Sequence, residues 1–167
     1  MRKTLLLIAV IFLNYCSVSF AQDVAIRDSL YSEVLKENRK LEIFLPSDYN
    51  PGSTNKYDVI YVLDGDWNNT KVTLFAQQFL QRERFMPAAI VVSIHNTHLN
   101  GINYRDRDFT PTTREGREQT TGQAAAFLSF LKNELVPHIN KSYPSTGESA
   151  IFGHSLGGLF VMYAFLN

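Results

Sequence analysis

The amino-acid sequence predicts an α/β fold whose sheet is mostly parallel, with an antiparallel hairpin at its N-terminal end. Apolar runs of strand length alternate along the chain with segments of helical periodicity, which is typical of strand-helix-strand units. A Gly-x-Ser-x-Gly turn joins the last of these strands to the last helix. Right-handed crossovers would bring the carboxyl ends of the parallel strands to one edge of the sheet, where ligand sites of such folds lie.

The hairpin is predicted over residues 25–35 and 39–45. Apolar residues alternate most clearly at Leu41, Ile43 and Leu45, and the polar residues 36–38 between the two segments suggest a short turn. A loop rich in Pro, Gly and Asn is expected over residues 46–53.

Two nearly continuous apolar runs, residues 57–63 and 88–94, predict strands that are buried on both faces. Helical spacing between them predicts a helix after possible N-caps at residues 68–70. Its expected apolar face contains Val72, Phe75, Phe79 and Leu80.

Residues 95–121 are polar and irregular, a length at which a connection is usually functional or mobile. Thr120 and Gln123 then form a possible capping box for a helix that Pro137 should kink or shorten. The apolar face of that helix is expected to contain Ala124, Phe127, Leu128, Leu131, Leu135 and Ile139.

The segment 150–160 has the pattern of a nucleophile elbow, in which a serine stands at the tip of a strained strand-to-helix turn. Gly153 and Gly157 would allow the tight backbone and leave the approach to the Ser155 hydroxyl open. The free N–H groups and the positive dipole end of the following helix would face the reacting centre. Ser155 is therefore the predicted nucleophile, and the Leu156 N–H is one predicted oxyanion donor.

From about residue 26 to residue 167 the chain resembles an α/β-hydrolase, specifically the putative-esterase family that contains esterase D, the enterochelin and related siderophore esterases, and the antigen 85 acyltransferases. The elbow is specific for the superfamily. The Leu-Asp-Gly segment at residues 63–65 and the Arg-x-Arg-Asp-x-Thr-Pro segment at residues 105–111 narrow the resemblance to the family. The segments that carry the resemblance are Val62-Leu63-Asp64-Gly65-Asp66, Arg105-Asp106-Arg107-Asp108-Phe109-Thr110-Pro111, Phe127-Leu128, Glu134-Leu135-Val136-Pro137, Tyr143-Pro144 and Gly153-His154-Ser155-Leu156-Gly157-Gly158.

The resemblance implies that Ser155 is the nucleophile, that Leu156 is one oxyanion donor, and that Asp66 supplies the second through its backbone N–H. An ordinary turn residue is the alternative for Asp66. Asp64 is expected to hold its loop rather than to act as an acid. Arg105, Arg107 and Asp108 would brace the loop over the site, or form a plain solvated charge cluster.

The catalytic triad of this fold runs in the order Ser, then Asp or Glu, then His, and residues 156–167 contain none of these acids and no His. Among the upstream histidines, His95 and His98 are the only candidates for a substitute base, because they follow a strand that ends at the site, but a histidine in a loop is usually only solvated. His138 is expected near the wrong end of its helix, and the side chain of His154 is expected to point away from Ser155. We therefore expect a truncated chain in which the acid, the histidine and the C-terminal strands lie beyond residue 167, leaving the elbow strand as an apolar edge.

Residues 1–21 have the pattern of a signal peptide, with Arg2 and Lys3 before an apolar run and small residues before Gln22. Export to the periplasm or medium is expected, followed by a hydrolase domain over residues 22–167. Cys16 could instead mark a lipoprotein signal, but the bulky Tyr15 before it disfavours this. The mature part would contain no cysteine and would carry a net charge of −2, so neither a disulfide nor a nucleic-acid surface is expected.

The function predicted from these features is that of an exported serine ester hydrolase, similar to siderophore esterases, which forms an acyl-enzyme on Ser155. Its substrate would be a small-molecule or glycan ester, and neither a metal nor an organic cofactor is expected. The alternatives are an acyltransferase of the same family and a catalytically inactive ligand-binding fragment.

Overall fold

The structure is a computed structural model that describes residues 25–167. The predicted signal peptide, residues 1–21 with Cys16, lies outside the described residues. Between residues 25 and 167, no helix is both long and apolar enough to cross a membrane.

A five-stranded mixed sheet forms the centre of the described chain. Its strands lie in the order β1-β2-β4-β3-β7, with β1 and β2 antiparallel and with β4, β3 and β7 parallel to one another. The strands span Ile26–Ser32 (β1), Glu37–Phe44 (β2), Tyr57–Val62 (β3), Ala89–Ile94 (β4) and Ser145–Phe152 (β7). The predicted α/β fold with its N-terminal hairpin is confirmed, and β7 lies at one side of the described sheet.

Helices connect these strands, and the 95–121 connection is more ordered than predicted. It contains a two-stranded hairpin, His98–Leu99 (β5) with Ile102–Asn103 (β6), and a short helix. The helices span Asn69–Arg82 (α1), Arg105–Phe109 (α2), Ala124–Phe130 (α3), Val136–Ser142 (α4) and Leu156–Leu166 (α5), with a π-helical turn at Leu131–Leu135 between α3 and α4.

The first hairpin turns earlier than predicted. Ser32 pairs with Glu37, so the turn consists of residues 33–36 and not of residues 36–38. The Ser32 hydroxyl accepts the Leu35 N–H at 2.9 Å, and Lys36 takes the positive φ (56°) that closes the turn. Residues 37 and 38 are thereby free to extend β2.

Helix α1 is correctly predicted, but its buried face is not. Val72, Phe75 and Phe79 are exposed and Leu80 is half-buried, whereas the buried residues of the helix are Thr70, Leu74 and Gln77. The Thr70 hydroxyl lies 2.8 Å from Ser93 Oγ on β4, which explains why a polar residue stands on the inner face. Periodicity defined an apolar stripe but could not say which neighbour the helix packs against.

The predicted capping box is also wrong. The first N–H groups at the start of α3 are taken by backbone carbonyls, with Gln123 N bonded to Arg107 O at 2.9 Å and Ala124 N to Thr110 O at 3.1 Å. Pro137 does not shorten the helix, which continues to Ser142, but the α-helical ladder is interrupted directly before the proline by the π-helical turn Leu131–Leu135.

The larger core lies between the sheet and the helices α3, α4 and α5, which cover one of its faces. Phe127 stands at its centre, with ring centroids 5.6 Å from Phe109 and 5.0 Å from Phe160. Every predicted apolar position of the α3–α4 face is buried there except Leu128, which is half-buried. This packing fixes α2 and α5 against each other, and both elements carry residues of the candidate site.

Candidate active site

The predicted nucleophile occupies a strained position between a strand and a helix. Strand β7 ends at Phe152 and α5 begins at Leu156, and Ser155 between them is exposed with φ 55° and ψ −118°. A non-glycine residue at positive φ is costly and persists only where the surroundings impose it. The backbone therefore holds the Ser155 hydroxyl at the tip of a sharp turn, as a nucleophile elbow requires.

The glycines of the elbow are required by space. A Cβ on Gly153 would stand 2.5 Å from both the carbonyl carbon and the oxygen of Gly157, which are backbone atoms that cannot rotate away. A Cβ on Gly157 would approach Asp64 Oδ2 to 3.3 Å. The elbow is therefore closed on itself and lies directly against the turn that follows β3.

That turn, residues 64–67, is the second unusual backbone at this edge of the sheet. Asp64 is buried with φ 58°, and its carbonyl accepts the Trp67 N–H at 2.9 Å. Gly65 donates its N–H to Ile94 O at 2.9 Å, and a Cβ on Gly65 would collide with Ser93 Oγ. The turn is thus pressed against the end of β4.

Arg105, the first residue of α2, connects the turn to the elbow. Its guanidinium donates to both carboxylate oxygens of Asp64, Nε to Oδ1 at 2.6 Å and Nη2 to Oδ2 at 2.9 Å, and Nη2 also reaches the His154 carbonyl at 3.3 Å. The Trp67 ring lies 4.6 Å from the guanidinium carbon. These contacts give Asp64 a structural role, in line with the expectation that it holds its loop.

The two predicted oxyanion donors lie on either side of this junction, Asp66 in the turn and Leu156 at the first position of α5. Within residues 25–167 neither backbone N–H is bonded to a protein acceptor. Free N–H groups at the start of a helix and in a tight turn can donate hydrogen bonds to an oxygen that becomes negatively charged during a reaction, and so stabilise it.

The described histidines do not contact the Ser155 hydroxyl. His95 Nε2 lies 3.4 Å from Glu42 Oε2, and His138 Nε2 lies 2.9 Å from Asp28 Oδ2 on the hairpin. His98 Nε2 lies 3.9 Å from Asp66 Oδ2, and His154, which directly precedes Ser155, is exposed. The part of the chain that the structure describes therefore provides no hydrogen-bonded base for Ser155.

Arg107 and Asp108, which lie on the same short helix as Arg105, form a buried ion network with Arg39 and Glu37 of β2. The Asp108 carboxylate accepts hydrogen bonds from Arg39 Nη1 at 2.6 Å and from Arg107 Nε at 2.8 Å. The Glu37 carboxylate accepts hydrogen bonds from Arg107 Nη1 at 2.9 Å and from Arg107 Nη2 at 2.7 Å. Burial alone would raise the pKa of Glu37, but hydrogen bonds from Arg107, Thr97 and Arg39 outweigh it and lower that pKa to about 2. This network fixes α2 to β2, so Arg107 and Asp108 are bracing residues and not a solvated cluster.

Sequence reasoning missed Arg39 and Asn96, and it placed Glu37 in a turn. Arg39 is 1% exposed, and its place two residues before Leu41 already put it on the inward face of β2. Asn96 is buried just beyond β4 and donates to both Asp64 and Asp66. Its position at the carboxyl end of a parallel strand was the available signal.

No group of three His, Cys, Asp or Glu side chains that could hold a metal occurs among residues 25–167.

The comparisons with known proteins point in one direction. A family model described as "Putative esterase" matches residues 32–167. Ferri-bacillibactin esterase BesA of Bacillus subtilis is 34% identical over 146 residues, which are 78% of this chain and 50% of that protein. Siderophore triacetylfusarinine C esterase of Aspergillus fumigatus is 31% identical over 112 residues, 64% of this chain and 38% of that protein.

Among solved structures, the IroE-like serine hydrolase from Shewanella oneidensis superimposes with a TM-score of 0.72 and 36% identity, covering 84% of this chain and 46% of that one. The present chain therefore spans half or less of the length of the curated relatives it matches.

Proposed function

Because this chain belongs to the Putative esterase family of α/β-hydrolases, we propose that it hydrolyses carboxylic esters with Ser155 as its nucleophile. One observation carries the proposal: Ser155 stands at positive φ between the end of β7 and the start of α5, with glycines where a Cβ would collide. A backbone this constrained around an exposed serine has a chemical use in ester cleavage and no evident use in packing.

The mechanism proceeds through an acyl-enzyme. The Ser155 hydroxyl attacks the ester carbonyl while a base takes its proton, and the carbonyl oxygen becomes negative. The N–H groups of Asp66 and Leu156 donate to that oxygen. The alcohol then leaves with a proton from the base, and water releases the acid by the same steps.

No residue between 25 and 167 is proposed as the base or as its acid partner. No described histidine contacts Ser155, and the curated relatives are at least twice as long as the part they share with this chain. Loss of a triad member typically lowers turnover by about four powers of ten, so activity of the 167 residues alone would be weak.

The proposed substrate is an ester-linked siderophore. The two curated relatives are named as esterases of ferri-bacillibactin and of triacetylfusarinine C, both at more than 30% identity. Glycan esters are the alternative substrate class.

Export is proposed from the signal-peptide pattern of residues 1–21, with a mature domain starting at Gln22. N-terminal sequencing of the exported protein tests this.

Hydrolysis assays on the purified gene product test the function. We expect cleavage of an ester-linked siderophore and of a p-nitrophenyl ester, with Ser155→Ala lowering both rates by about four powers of ten or more. Transfer of the acyl group to an added alcohol in preference to water would instead indicate an acyltransferase. Binding of the siderophore without cleavage, unchanged in Ser155→Ala, would contradict the enzyme proposal.

A further inference from the structure

We infer that Asn96 is a positioning residue for the oxyanion hole, acting as a donor that holds the two carboxylates of the Asp64-Gly65-Asp66 turn in one arrangement. This inference rests on the proposed function, because it concerns the turn that carries the second oxyanion donor.

The contacts of Asn96 converge on that turn. Its Nδ2 donates to Asp64 Oδ1 and to Asp66 Oδ1, both at 3.0 Å, and its backbone N–H donates to the same Asp66 oxygen at 3.1 Å. Asn96 is 6% exposed, so water competes little for these bonds.

The orientation of the amide follows from its neighbours. Nδ2 has two carboxylate oxygens within reach, whereas Oδ1 is buried without a hydrogen-bond partner in the described chain. The reverse orientation would place a carbonyl oxygen against two carboxylates, which is repulsive. Asn96 therefore acts through its N–H groups, and its side-chain oxygen makes no bond.

The turn needs such a donor because it brings two negative groups together over a strained backbone. Arg105 compensates Asp64, with which it forms a two-point ion pair, but it makes no bond to Asp66. Asn96 joins the Asp66 carboxylate to the same arrangement. The Asp66 N–H makes no bond to a protein acceptor within residues 25–167, so it is available to an oxyanion while the Asp66 carboxylate is held by Asn96.

The substitution Asn96→Asp separates this role from simple space filling. It preserves size and shape but replaces the donor with a third carboxylate, so a donor role is lost and a packing role is kept. We expect kcat for ester hydrolysis and the rate of Ser155 labelling by a fluorophosphonate to fall at least about tenfold at pH 7, with little change in KM.

A second readout does not depend on catalysis. The Gly65 N–H is bonded to Ile94 O, so its hydrogen exchange reports the order of the turn. We expect Asn96→Asp and Asn96→Ala to speed exchange at Gly65 at least about tenfold while exchange at Val91 in the core of β4 stays near the wild-type rate. Asn133→Ala, at an exposed asparagine bonded only to Ser129, is the matched control and should change neither quantity.

The outcomes separate the two proposals. Unlabelled Ser155 in the wild type would overturn the proposed function, and the exchange of Gly65 would then still decide the role of Asn96. Wild-type activity and wild-type Gly65 exchange in Asn96→Asp would overturn the inference and leave the function intact.

Discussion

At the scale of single residues, the site depends on places where a side chain is forbidden. Gly153 and Gly157 lie so close that a methyl group on the first would collide with the backbone of the second. Ser155 and Asp64 both take positive φ without being glycine, at 55° and 58°. The two strained residues lie on opposite sides of Arg105, which bonds to Asp64 and to the residue before Ser155. The strain at Asp64 is therefore held in place by side-chain contacts, whereas the strain at Ser155 is held by the close backbone packing of Gly153 and Gly157.

Gly153→Ala should open the elbow. Because the contacted atoms belong to the backbone, we expect a loss of at least about 2 kcal/mol in the free energy of unfolding and a fall in Ser155 labelling. Chemical denaturation and labelling kinetics measure the two effects. Gly52→Ala is the control, since its Cβ would meet only the Asn50 side chain at 3.6 Å. Equal effects of the two substitutions would contradict the geometry of the elbow.

At the scale of elements, the sequence pattern identified helices better than their neighbours. The spacing of Val72, Phe75 and Phe79 predicted α1 correctly, yet this stripe faces outward and Leu74 faces the sheet. The short helix α2 was not predicted, because it is held by ion pairs to β2 that are remote in sequence. Hydrophobic periodicity contains no information about such long-range pairs.

The orientation of α1 can be measured with two neighbouring substitutions. Leu74→Ala should lower the free energy of unfolding by about 2 kcal/mol or more, because Leu74 is 9% exposed and belongs to a second, smaller core cluster with Val62 and Val91. Phe75→Ala, at a residue that is 67% exposed, should change it by less than about 0.5 kcal/mol. The opposite ranking in a denaturation experiment would restore the face predicted from the sequence.

The anchoring of α2 can be tested on one helix. Asp108→Ala leaves the buried guanidinium of Arg39 with Glu37 as its remaining carboxylate partner, and we expect a cost of about 3–5 kcal/mol. Asp106→Ala removes only a half-exposed pair with Arg117 and should cost less than about 1 kcal/mol. Similar thermal stability of the two variants would show that the network does not hold the helix.

At the scale of the whole molecule, the fold and the region of the site could be predicted, but the finer contacts could not. The elbow, the buried strands β3 and β4 and the parallel sheet follow from local patterns, and these place Asp66 and Ser155 at one edge. Asn96 and Arg39 were missed because their importance arises from partners about 30 and 70 positions away. Only the folded chain brings those partners together.

The buried network also gives the molecule a definite acid sensitivity. The pKa of Glu37 is about 2 in the folded chain, below its ordinary value of 4.5. Its stabilising contribution is therefore complete above about pH 4.5 and is lost as the pH falls toward 2. We expect Glu37→Gln to be less stable than the wild type at pH 7 and the difference to shrink between pH 4.5 and 2. A difference that does not vary with pH, measured by denaturation, would contradict a charged role for Glu37.

The most direct test of the proposed nucleophile is mass spectrometry of the purified gene product after incubation with a fluorophosphonate. We expect one adduct per chain, located by peptide mapping on Ser155 and absent from Ser155→Ala. An adduct on another residue, or none under conditions that label a known serine esterase, would contradict the claim that this strained turn presents a reactive hydroxyl.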